Sequence, residues 1–147
     1  MADIVYNAFK QKIADGTIDW DAATVRVLLI RSTSTYTADP DHEFVSDLTG
    51  LAEPTDGSYA RQSLAGKLVA KDNANNRAVL DANDTSFGNV AGGQTVIGYI
   101  CYVQTGGSDA SPGDDTLVCH VDSPADKVLQ GDPFTVVWNA AGVVTLT

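Results

Sequence analysis

The densest pattern of apolar and β-branched residues lies near the centre of the chain, in two stretches. Gln94–Val103 is rich in β-branched and aromatic residues, and Thr116–Val121 alternates in a way that places Leu117 and Cys119 on one apolar face. Between them, Gln104–Asp115 consists mainly of glycine, serine, aspartate and proline, which favour turns. The pattern predicts a hairpin with a long tip at the centre of an antiparallel sheet.

A helical spacing of apolar residues occurs near the N-terminus and predicts a helix over Ile4–Ala14. We expect Asp3 to cap its start and Gly16 to end it in a left-handed turn. One apolar stripe would then lie against the sheet, and it consists of Val5, Phe9 and Ile13.

The next element is a predicted interior strand over Thr24–Arg31, with Val25, Val27 and Leu29 on its core face. The segment that follows, Ser32–Gln62, is long and irregular. Long connections in compact domains are commonly binding loops, so we expect this one to touch any partner.

Within this connection, Asp39–Leu48 predicts a short helix with an N-cap and a proline in its first turn. Phe44 and Leu48 would face inward.

Short strands predominate in the rest of the chain. They are predicted at Leu64–Lys71, Asn76–Ala82 and Thr85–Val90, and then, after the turn-rich Asp122–Pro133, in a last hairpin of Phe134–Trp138 and Val143–Thr147 with Trp138 in the core. The elements predict a mainly β fold in a single domain over residues 1–147: an antiparallel β-sandwich or flattened barrel of about eight strands, with one N-terminal helix and a short helix in a long loop.

The composition excludes several classes of partner. The net charge is −10, and the nine lysine and arginine residues are spread along the 147 residues, so no basic stripe is available for nucleic acid. No apolar run is long enough to span a membrane, and Met1–Lys10 has no signal-peptide pattern. We therefore expect a protein made in the cytoplasm, with neither nucleic acid nor membrane as partner.

The two cysteines, Cys101 and Cys119, fall opposite each other if the hairpin is symmetric about its tip. A disulfide is geometrically conceivable. Directly opposed strand cysteines often fit disulfide geometry poorly, and a reducing compartment favours buried free thiols. The sequence leaves both alternatives open.

Motifs for catalysis or metal binding are not found in the sequence. The two histidines, His42 and His120, have no partners at zinc-ligand spacing, and the Asp72–Asn76 and Asp81–Asp84 clusters lack the pattern of a calcium loop. There is no nucleophile elbow or phosphate-binding loop. We expect no metal, no cofactor and no enzymatic activity.

Five stretches that follow one another along nearly the whole chain carry a family resemblance: Tyr6–Ile30, Asp39–Leu48, Leu64–Lys67, Asp72–Ala82 and Phe134–Thr147. They resemble a family of small virion structural proteins of tailed bacteriophages. The resemblance implies a non-enzymatic part of the virion, present in many copies. The chain departs from the family pattern at Leu51–Gln62 and in its extended tip, Gln104–Asp115.

The strong negative charge argues against the inner capsid wall, where packaged DNA would repel it. We therefore expect a capsid decoration, or cement, protein on the outer surface of the virion that binds the shell of major capsid protein and stabilises it. A dimer or trimer at a capsid symmetry axis is the expected oligomer. The alternative is a tail or head-fibre component that serves in attachment.

Candidate contact residues are aromatic side chains in polar loops and a nearby acidic run. For each aromatic residue, and for Phe44 above all, a role as a core anchor is the competing interpretation, and for the acidic run it is a solvated loop. The candidates are Trp20, Tyr36, Phe44 and Tyr59, with Asp39, Asp41 and Glu43.

Overall fold

The computed structural model of the chain describes residues 3–56 and 58–147, so Met1, Ala2 and Gly57 lie outside the described residues. Within these ranges, ten strands in three antiparallel sheets, one α-helix and one 3-10 helix form the mainly β, sandwich-like fold that the sequence predicts. The strands are β1 Ile4–Val5, β2 Val25–Arg31, β3 Gln62–Ser63, β4 Leu68–Asp72, β5 Arg77–Asp81, β6 Thr85–Asn89, β7 Thr95–Val103, β8 Thr116–Val128, β9 Pro133–Val136 and β10 Val144–Leu146; the helix α1 is Asn7–Ala14 and the 3-10 helix is Val45–Asp47.

The predicted central hairpin is confirmed. The largest sheet has the strand order β1-β8-β7-β2-β3, and β7 lies between β8 and β2, paired antiparallel with both. The prediction that β2 is an interior strand is confirmed as well. The two remaining sheets have the orders β10-β5-β4 and β6-β9.

Both faces of the largest sheet are buried. One face packs against α1 and the two smaller sheets in a core that includes Val25, Val27, Leu29, Phe9 and Trp138. The other face forms a second cluster with the covering segment, which we define as residues 32–52; its members include Leu28, Ile30, Ile100, Tyr102 and Leu117 from the sheet and Val45 and Leu48 from the segment. The prediction that Val25, Val27 and Leu29 share a core face is confirmed.

The double burial corrects the prediction of a single apolar face for Thr116–Val121. All six residues are buried, and Leu117 belongs to the second cluster whereas Cys119 belongs to the first. The reason is a bulge: Cys101 pairs with Cys119 but Tyr102 pairs with Leu117, so the alternation of β8 is broken there. Strand β8 also extends to Val128, into the segment predicted to be turn-rich.

The predicted N-terminal helix starts later than expected. Residues Ile4–Val5 form β1, which pairs with β8, and α1 begins at Asn7 with Tyr6 at the N-cap position. The prediction that Asp3 caps the helix is wrong, because its carboxylate accepts a hydrogen bond from the N–H of Asp122 at 2.6 Å.

The predicted helix over Asp39–Leu48 is reduced to the 3-10 helix Val45–Asp47. The backbone before it is extended at Phe44, where the chain forms an isolated bridge with Thr116 of β8. Pairing with the sheet at Phe44 therefore replaces the middle of the predicted helix.

The predicted last hairpin is also wrong, because its two strands lie in different sheets: β9 pairs with β6, and β10 pairs with β5. Trp138, between them, is buried as predicted, at 8% exposure. Its N–H donates to Asp84 at 3.0 Å and its indole N–H to the carbonyl of Asn83 at 2.9 Å. These two long-range hydrogen bonds fix Trp138 between β9 and β10, and the chain on either side of it joins a different sheet.

The cysteines occupy the predicted register, Cys101 opposite Cys119, and both are buried free thiols. Burial raises the pKa of the Cys101 thiol well above its ordinary value, and the neighbouring Cys119 acts in the same direction. Of the two alternatives, the structure has the buried thiols.

Gly142 provides a test of the C-terminal topology. Its φ is +87°, and an added Cβ would meet Cγ1 of Val79 and the carbonyl oxygen of Leu80, the latter at 2.9 Å. We expect Gly142→Ala to lower the free energy of unfolding by at least about 2 kcal/mol, because a left-handed alanine is strained and overlaps β5. Urea denaturation measures this, and Gly107→Ala, at a φ of +76° and with nothing within 4 Å, serves as the control for backbone strain alone. Equal effects of the two substitutions would contradict the docking of β10 on β5.

Candidate interaction surface

The candidate surface is centred on the acidic segment, which we define as Asp39–Glu43. Asp39 and Asp41 are exposed, and Glu43 is partly exposed. The segment belongs to the covering segment and passes between the start of α1 and the start of β8. Five of the seven sequence candidates, Tyr36, Asp39, Asp41, Glu43 and Phe44, come from this part of the chain.

Helix α1 fixes the acidic segment from one side. The N–H of Asn7 donates to the carbonyl of Pro40 at 2.9 Å, and its side-chain amide donates to Asp41 at 2.7 Å. Lys12, on the same helix, forms an ion pair with Glu43 at 3.2 Å, and its ammonium lies 4.8 Å from the ring centroid of Phe44. The attraction between this ammonium and the face of the ring adds to that of the ion pair.

Strand β8 and the 3-10 helix fix the segment from the other side. The N–H of Leu117 donates to the carbonyl of Glu43 at 2.8 Å. One carboxylate oxygen of Asp47 accepts hydrogen bonds from the N–H groups of Glu43 and Phe44, both at 2.9 Å. These two bonds hold the pKa of Asp47 below its ordinary value, despite an opposing effect of burial.

The hydroxyl of Tyr36 lies 2.8 Å from that of Tyr6 and 3.3 Å from Nδ1 of His42. Its ring contacts those of His42 and His120, with centroids 5.7 and 6.2 Å apart. Tyr36 is therefore a half-buried residue that connects the acidic segment to the sheet, rather than a free aromatic side chain. Its burial raises its pKa.

The expectation that Trp20 is an exposed contact is wrong. Its ring is 2% exposed, packs edge-on against Phe9 and donates its N–H to the carbonyl of Asp81 at 3.2 Å. Trp20 was a candidate because it is an aromatic residue in a polar loop, whereas its partners come from the helix and from β5.

Tyr59 lies apart from the acidic segment. Its hydroxyl donates to Glu53 at 2.7 Å and accepts from the N–H of Leu29 at 3.0 Å, and its ring stacks on Phe87. Burial and the charge of Glu53 raise its pKa. Since Glu53 also forms an ion pair with Arg61 at 2.6 Å, Tyr59 is part of an internal network.

The sequence did not single out the residues that hold the acidic segment in place. Asn7 and Lys12 fall within the predicted N-terminal helix, and Asp47 falls within the predicted helix over Asp39–Leu48. Asp47 lies only three and four residues after its partners, whereas the partners of Asn7 and Lys12 lie up to 104 residues away, as for the 2.9 Å bond from Lys12 to the Thr116 hydroxyl. No spacing rule connects positions so distant in sequence.

The described residues do not contain a group of three or more His, Cys, Asp or Glu side chains arranged to hold a metal ion. None of the helices in the described ranges is long and apolar enough to cross a membrane. Comparison with known proteins finds no matching family model, no matching curated protein and no matching solved structure.

Asp47→Ala tests whether the acidic segment is fixed as described. Because the folded-state pKa of Asp47 lies below its ordinary value, its ionised form stabilises the fold above that ordinary value, and the contribution is lost as the pH falls through the folded-state pKa. We expect the substitution to lower the free energy of unfolding by about 1 kcal/mol at pH 7. The difference from wild type should shrink below about pH 4.

Urea denaturation at pH 7 and at pH 3 measures this difference in the free energy of unfolding. Asp132→Ala, at an exposed carboxylate in the turn before β9, controls for the loss of one negative charge. A difference between wild type and Asp47→Ala that is as large at pH 3 as at pH 7 would contradict the role of the carboxylate.

Proposed function

We propose that this protein is a non-enzymatic capsid decoration protein of a tailed bacteriophage, which binds the outer surface of the major capsid shell and stabilises it. The observation that supports the proposal most is the acidic segment, which carries the exposed carboxylates of Asp39 and Asp41 on a backbone held from two sides by α1 and β8. The family resemblance of the sequence supplies the virion and the capsid as partner.

A fixed charged segment is suited to docking on a preformed surface. Ordering a loop on binding costs free energy, and here the backbone hydrogen bonds of Asn7 and Leu117 have already ordered it. The complementary surface would carry lysine or arginine residues of the shell. With a net charge of −10, the protein would be attracted to such a site and repelled by packaged DNA.

Each contact can be modest if many copies bind. A protein that binds only the assembled shell stabilises that state by mass action, and an oligomer of decoration subunits adds avidity between neighbouring sites. A dimer or trimer located on a symmetry axis of the shell would bridge adjacent capsid subunits.

The charge of the acidic segment is tested by the triple variant D39N/D41N/E43Q. We expect its affinity for purified undecorated shells to fall about tenfold, because the exposed charges of Asp39 and Asp41 and the charge of Glu43, which pairs with Lys12, are lost. The matched control is D114N/D126N/D132N, which removes the same charge from exposed positions elsewhere. Co-sedimentation over a range of protein and salt concentrations measures both, and equal losses would show that only net charge matters.

Location is tested by cryo-electron microscopy of the intact particle. We expect density for this chain across the outer shell at near-stoichiometric occupancy, with the covering segment at the contact. Density confined to the tail or to a single vertex would overturn the proposal and support the attachment role.

A further inference from the structure

A cleft of about 390 Å³ lies directly beside the acidic segment, where the covering segment meets the edge of the large sheet. Its wall includes the apolar side chains Ile4, Ile30 and Ile97, and its rim carries the carboxylates of Asp3 and Asp122. None of the lining residues within the described ranges is lysine or arginine. The cleft thus combines an apolar wall with a rim that carries two carboxylates.

A backbone-to-side-chain hydrogen bond holds Asp3 and Asp122 next to each other at this rim. Asp3 accepts the N–H of Asp122 at 2.6 Å, because Asp3 immediately precedes β1, whose first residue, Ile4, pairs with His120 of β8. This bond fixes the backbone of Asp122 while its side chain remains 76% exposed. Two negative side chains at one rim repel each other, and a cation bound between them would relieve the repulsion.

A second observation comes from His120, which also lines the cleft. The residue is 7% exposed, its Nε2 lies 3.5 Å from Asp122, and its Nδ1 has no hydrogen-bond partner among the described residues. Burial lowers its pKa, although the charges of Asp122 and Asp3 oppose this effect. A buried imidazole, one of whose nitrogens lacks a partner among the described residues, therefore lies in the wall of the cleft beside the carboxylate of Asp122.

We propose that this cleft binds a basic side chain, arginine or lysine, of the partner protein. The aliphatic stem would lie on the isoleucine wall and the charged group would reach Asp3 and Asp122, since long cationic side chains bury their stems while their heads stay near polar groups. Tyr36, Thr37 and Ala38, which also line the cleft, lead directly into Asp39 of the acidic segment. One partner surface could therefore contact both.

The inference rests on the proposed function for the identity of the partner, but the chemistry of the cleft can be tested without capsids. The probes are Nα-acetyl-arginine methylamide and Nα-acetyl-lysine methylamide, each added to ¹⁵N-labelled full-length protein and followed by NMR. Nα-acetyl-citrulline methylamide, a neutral analogue of the arginine probe, is the ligand control. We expect saturable shifts at Ile97, His120 and Asp122 with one or both cationic probes, and none with citrulline.

Variants then assign the binding to the rim. We expect D122N to weaken the cationic probe up to about fivefold and D3N/D122N about tenfold, whereas D126N leaves it unchanged. Asparagine at position 3 keeps an acceptor for the N–H of Asp122, so the fold is preserved. Shifts with citrulline, shifts spread over all acidic surfaces, or equal binding by D3N/D122N would overturn the proposal.

Shell binding separates this inference from the proposed function. If the probes bind and D3N/D122N also loses shell affinity, the cleft is part of the capsid contact. If the wild-type protein binds shells but the probes produce no shifts, the inference fails while the proposed function stands. If the probes bind and wild-type protein does not bind shells, the cleft chemistry stands and the proposed function fails.

Discussion

The burial of both faces of the large sheet is the constraint on which the rest of this structure depends. Strands β2, β7 and the first half of β8 carry apolar side chains on each face, and a sheet that left either face in water would lose that burial. The smaller sheets and α1 cover one face. The other is covered by a segment that is largely irregular, whose own backbone polar groups must then be satisfied locally.

That requirement explains the polar contacts around the covering segment. Asp115, which is fully buried, uses its carbonyl to accept the N–H of Val45 and its carboxylate to accept the N–H of Thr105. A single residue thus ties the 3-10 helix and the long tip of the central hairpin to the start of β8. One of its carboxylate oxygens is buried and has no partner among the described residues. The free-energy cost of burying that oxygen offsets part of the stabilisation that the two hydrogen bonds contribute.

The sequence predicted the parts of the fold that local pattern determines. The central hairpin, the core face of β2, the burial of Trp138 and the pairing of Cys101 with Cys119 were all predicted from periodicity and turn chemistry. The errors have long-range causes. Asp3 hydrogen-bonds to a strand 119 residues away instead of capping a helix, and Trp20 donates a hydrogen bond to Asp81, which is also distant in sequence. For the candidate surface, the acidic run was visible in the sequence, but Lys12, Asn7 and the cleft beside it were not.

The same constraint bears on the binding role proposed for the acidic segment. Net charge alone sets a long-range attraction or repulsion, and it acts equally wherever the carboxylates lie. Specificity needs charges at fixed positions, and fixing them costs entropy unless the fold has already ordered the backbone. Here the ordering arises because the acidic segment belongs to the covering segment, which shields an apolar sheet face from water. The carboxylates of Asp39 and Asp41 stay exposed on a backbone that Asn7 and Leu117 hold by hydrogen bonds, and Tyr36 and Val45 on either side pack in the second cluster. Such contacts would give an irregular loop the fixed geometry that the proposed docking requires.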